Sequence, residues 1–179
     1  MPDYEKLATL AKDCGFTYCA PLEIKTLEFM QDVRDMCNAN KCGSYNTSWS
    51  CPPACPSLEE MSERILGYTG GMLVQTVGEL EDSYDWEGII SAGVRHKENF
   101  ASMWDMLEKD YTSVFAMGAG VCRICETCTY PDKPCRYPNR LSASMEACGL
   151  FVSKVCTDNG LAYNYGSDHI AFTSCFLVS

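Results

Sequence analysis

The chain has 179 residues, 46% of them hydrophobic and 21% charged, with a net charge of −10. That length supports one sizeable core, and the composition excludes wholesale disorder and a polytopic membrane protein. The acidic balance speaks against nonspecific nucleic-acid binding and against docking on anionic membranes, because both need a positive surface to displace counterions.

No apolar run reaches the roughly 18 residues of a spanning helix. Met1 to Phe16 is polar and amphipathic, without the basic and then apolar regions of a secretory leader. The expectation is a cytoplasmic protein in which residues 1–179 form a single metal-binding domain.

The predicted elements alternate loosely along the chain. Tyr4, Leu7, Ala8 and Ala11 share one face of a first helix that ends at Gly15, and Phe16 to Ile24 reads as a short strand. Thr26 is placed to cap a second helix whose Leu27, Met30, Val33 and Met36 face inward. Ser57 and Glu60 form a capping box ahead of Leu58, Met61 and Ile65, and that helix should stop near Gly67. Met72 to Val77 is an apolar run suited to a buried strand. An acidic turn follows it, and then the longest predicted helix, from about Trp86 to Leu107. Thr112 to Met117 and Ile170 to Val178 are further strands. Met145, Cys148, Val152 and Val155 make a helical stripe stopped around Gly160. The pattern predicts an α/β or α+β fold, helices packed on a small mixed β-sheet, with cysteine-rich loops at the ends of elements.

Thirteen cysteines are far from ordinary. In a reducing compartment such a count points to metal ligation ahead of a disulfide framework. Cys122, Cys125, Cys128 and Cys135 form C-x2-C-x2-C-x6-C. Three thiolates at such short gaps let one tight loop wrap several corners of a [4Fe–4S] cubane, and a fourth closes the coordination. Structural zinc more usually takes two separated C-x2-C knuckles, so zinc and a purely structural thiol cluster are the alternatives.

The earlier block runs Cys37-x4-Cys42-x8-Cys51-Pro52-Pro53-x-Cys55-Pro56. Its consecutive prolines prevent a helix and hold the sulfurs in an extended loop. These eight cysteines are the candidate ligands of one or two clusters. The spacing leaves open whether Cys55 and Cys135 serve their own block or the other, and whether the two centres fuse. Tyr45 and Trp49 stand between the ligands, either as shields against water or as ordinary core. Arg123, Lys133, Arg136 and Arg140 either offset cluster charge or neutralise nearby Glu126 and Asp132. The remaining Cys14, Cys19, Cys148, Cys156 and Cys175 read as buried small hydrophobes, and His96 and His169 as surface or hydrogen-bonded residues.

Cys42-Gly43-Ser44-Tyr45-Asn46-Thr47-Ser48-Trp49-Ser50-Cys51-Pro52-Pro53, Gly120 to Cys128, Cys135-Arg136-Tyr137-Pro138 and Ser144-Met145-Glu146-Ala147 together resemble the DUF2284 family over roughly residues 30 to 178. The resemblance implies a metal-binding, iron–sulfur protein of largely anaerobic microbes with no general reaction assigned. This chain has Ser142 and Ala143 where the family pattern places Arg-Pro, and Cys148 where it places an apolar residue.

Three functions follow from these residues. A small acidic protein with fully ligated clusters would transfer electrons to or from a partner redox enzyme, since no flavin or nicotinamide fingerprint is present. An iron–sulfur enzyme would instead hold a small anionic substrate at an open iron, positioned by Tyr45, Arg136 or Glu146. A zinc-binding or metal-sensing module would use the metal only to hold the fold.

Overall fold

The computed structural model describes residues 1–179. Five helices pack on a four-stranded sheet: α1 Tyr4–Asp13, β1 Tyr18–Leu22, α2 Gln31–Asp35, α3 Leu58–Leu66, β2 Gly70–Glu79, α4 Trp86–Asp110, β3 Val114–Met117, α5 Val152–Asp158 and β4 His169–Val178. The strand order is β1-β2-β4-β3 and every pairing is antiparallel, so the expected mixed sheet is corrected to an antiparallel one within an α+β fold. Strand direction depends on how the connections cross the sheet, and local sequence does not encode that.

Alternation along the central strands sorts side chains to two faces. Met72, Val74, Phe176 and Val178 meet Leu7 and Ala11 of α1 and Met103, Trp104 and Leu107 of α4. Leu73, Cys175 and Leu177 meet Met61 and Ile65 of α3 and Val155 and Cys156 of α5. The sheet is therefore the middle of three layers. Each fully buried large side chain in it contributes about 1.5–3 kcal/mol of transfer free energy. Gly71 allows the closest backbone approach, since a Cβ there would lie 2.0 Å from the Phe176 carbonyl oxygen.

The capping box of α3 forms as expected. Glu60 N donates to Ser57 Oγ at 3.2 Å, and Ser57 N donates to Glu60 Oε2 at 2.7 Å. Two other expectations fail. Thr26 caps no long helix: its hydroxyl donates to Glu23 O at 2.7 Å inside a single 3-10 turn, and α2 begins only at Gln31. The stripe from Met145 is likewise not one helix. Gly149, at φ +78°, breaks it, and α5 starts at Val152. Burial of Met145, Ala147 and Cys148 in the core produced an apolar spacing that mimics a helical face.

One mismatch in strand length shapes the functional region. β3 ends at Met117 opposite Cys175, whereas β4 begins at His169 opposite Glu79 of β2. The first half of β4 thus has a neighbour on one side only, and the second cysteine block leaves the sheet where β3 stops.

Candidate metal centre

The second block is a loop closed at its neck, where Gly118 N donates to Ala143 O at 3.0 Å and Gly118 bridges Ser144. Inside it, Lys133 N donates to Thr129 O at 3.0 Å, Thr129 Oγ1 to Pro134 O at 2.9 Å, and Arg136 to Thr127 O at 2.7 Å. These bonds turn the loop so that Cys122, Cys125, Cys128 and Cys135 are half-buried while Glu126 and Thr127 face solvent. All four of these cysteines line one small cavity of about 30 Å³.

The first block packs directly on the second. Ser50, 1% exposed, accepts from Cys122 N at 3.0 Å and shares a hydrogen bond with Ser48 at 3.0 Å. Trp49 donates from Nε1 to Lys133 O at 3.0 Å and meets Tyr130 edge-to-face at 4.9 Å. The Tyr130 hydroxyl donates to Asn46, whose positive φ of 58° is one that asparagine tolerates. Trp49 is thus the hinge pin between the two loops.

Cys37, Cys42 and Cys51 line a second, larger cavity of about 550 Å³ together with Cys122, so Cys122 borders both spaces. Burial pushes the Cys37 thiol up, and the neighbouring Cys42, Glu146, Cys51 and Cys55 push it the same way. Cys42 is exposed.

Cys55 is the most deeply buried of the eight. It is 4% exposed and borders neither cavity. Its sulfur accepts from Arg34 at 3.4 Å, and the same guanidinium donates to Cys55 O at 3.3 Å and Ala147 O at 2.7 Å. Arg34 is buried with no carboxylate partner. Burial raises the Cys55 thiol, and the arginine opposes that rise. A buried cation facing sulfur instead of carboxylate is stabilised most when the sulfur is a thiolate. Sequence reasoning missed Arg34, Ser48 and Ser50, because nothing in their local pattern reports a contact across the fold.

The cations expected near the second block divide differently. Arg140 is paired with Asp105 at 2.7 Å and Glu108 at 3.8 Å and lies over the Trp104 ring, so it serves α4. Arg136 braces the loop as described, and neither Glu126 nor Asp132 forms an ion pair. Cys148, Cys156 and Cys175 are buried, with thiols pushed up to about 12 for Cys148 and about 11 for Cys156 by loss of water. Cys14 and Cys19 are half-buried on the α1 side. His96 is held between Thr76 at 3.0 Å and Ser174 at 2.7 Å, and His169 bonds Asp168 at 2.8 Å.

No three His, Cys, Asp or Glu side chains converge as ligands of a single ion. The small cavity presents four sulfurs beside the hydroxyl groups of Ser48, Ser50, Thr129 and Tyr137, with no carboxylate or imidazole in its wall. That set suits soft, thiolate-preferring centres.

No curated protein and no solved structure matches the chain. Residues 20–178 match the DUF2284 family, described as predicted metal-binding proteins, and the chain belongs to that family.

Proposed function

We propose that the protein binds [4Fe–4S] clusters in its paired loops and passes single electrons to a partner redox protein in the reducing cytoplasm, with residues 1–179 acting as one unit. The observation that carries this reading is the second loop, whose four cysteines all line one small pocket. Cys122, Cys125, Cys128 and Cys135 would hold one cluster. Cys37, Cys42 and Cys51, with Cys55 as the fourth thiol, would hold a second across the Ser50–Cys122 seam.

A bound cluster supplies a one-electron couple whose potential depends on charge, hydrogen bonds to sulfur and exposure. The chain contributes to each of these. Arg34 donates to Cys55 and places positive charge beside it. Arg123 and Lys133 stand near the ligands without carboxylate partners. The Trp49–Tyr130 pair covers the seam between the loops. The exposed backs of both loops offer a partner a short path to the sulfurs.

Anaerobic purification followed by iron and acid-labile sulfide analysis tests the proposal. About eight irons per chain supports two clusters, and about four supports one. Cys125→Ser should remove one cluster's iron and leave the other. Stoichiometric zinc without sulfide overturns the reading.

A further inference from the structure

The 550 Å³ cavity lies in the volume that β3 leaves beside the first half of β4. One wall comes from the cysteine loops. The other comes from α4, through Ile90, Val94, Lys97 and Ala101, and from Phe172 of β4. Residues 90, 94, 97 and 101 follow helical spacing, so they form a single stripe along α4. Ile90 is 63% and Val94 50% exposed, a contiguous apolar strip that a soluble helix normally turns inward.

The charge of this wall runs against that of the chain. None of its 25 residues is Asp or Glu, although the protein has 24 such residues and a net charge of −10. Lys97 and Arg123 both line the cavity, and neither pairs with a carboxylate. Ser142 lines it too, buried to 5% exposure, with a hydroxyl that has no hydrogen-bond partner in the protein. The volume falls within the roughly 300–1,000 Å³ of small-molecule sites, which are mainly apolar with a few convergent polar groups.

We infer that this cavity is a binding site for a small, mostly apolar organic anion, its hydrocarbon body against α4 and Phe172 and its anionic group between Lys97 and Arg123. Such a ligand would lie beside Cys37, Cys42, Cys51 and Cys122. The inference goes beyond the cluster proposal and does not require it.

The test is calorimetric titration of the anaerobically isolated protein with phenylacetate and with octanoate, and with 2-phenylethanol as the neutral counterpart. Saturable binding of at least one anion, tighter than the alcohol, is expected. Lys97→Met keeps the apolar stem and should weaken the anion about tenfold while leaving the alcohol unchanged, as befits loss of a charge-assisted bond. Ala101→Phe fills the cavity from an exposed position, so the fold should survive and binding of all three probes should disappear. Absence of saturation by either anion to about 10 mM overturns the inference. So does an affinity that neither substitution changes. Iron measured on the same samples separates the two proposals: anion binding by iron-free protein leaves this one standing alone, and iron-loaded protein that ignores both anions refutes it alone.

Discussion

Replacing Arg34 by Met removes the only lysine or arginine among the buried residues while keeping most of its apolar stem. Three hydrogen bonds disappear, to Ala147 O at 2.7 Å, Cys55 O at 3.3 Å and Cys55 Sγ at 3.4 Å. A buried acceptor left unpaired costs about 1–3 kcal/mol, the shortest bond counting most. Relief of the guanidinium's own desolvation offsets part of this, leaving a net loss of about 2–4 kcal/mol. For a chain of this length that corresponds to a fall in Tm of about 5–15 °C. Thermal unfolding followed by circular dichroism, on metal-free protein under reducing conditions, measures it. Cys55→Ser, which disturbs only the longest bond, should lose much less. In the metal-free Arg34→Met variant the Cys55 thiol loses the charge that opposes its rise, so its alkylation at pH 8 should slow. An Arg34→Met protein as stable as the parent would refute the view that this guanidinium clamps α2, the first cysteine loop and the Ala147 turn together.

Three further outcomes follow from the structure. Burial holds the His96 imidazole down at about 4 against an ordinary 6.5. The unfolded chain therefore takes up this proton as pH falls through 6.5 while the native protein does not until about 4. Stability is intact above 6.5 and drains by roughly 3 kcal/mol as pH falls to 4, and His96→Gln should flatten the pH dependence of the urea midpoint in that window. Gly71→Ala should give insoluble or unfolded protein, because the new Cβ meets backbone and not a movable side chain; recovery of a folded, soluble variant would contradict the β2–β4 geometry. Ser50→Ala leaves the Cys122 amide without its partner and should cost about 1–3 kcal/mol, read as faster proteolysis within residues 119–141 with little change in α4 amide exchange.

Most helices, the capping box and all four strands were legible in the sequence because their causes are local: apolar period, a polar side chain within reach of its own backbone, glycine at a stop. The two cysteine blocks were legible for the same reason, since ligand spacing is a property of a short loop. Local pattern also misled where burial came from elsewhere, as at Met145 to Cys148, whose apolar residues fill the core without forming a helix. The antiparallel strand order, the Ser50–Cys122 seam, the pairing of Arg34 with Cys55 and the acid-free cavity beside β4 were decided only when the chain closed on itself. Each joins residues from distant parts of the sequence. Composition and spacing determine which chemistry the side chains can offer; the packing of loops against an unevenly paired sheet decides which of them meet.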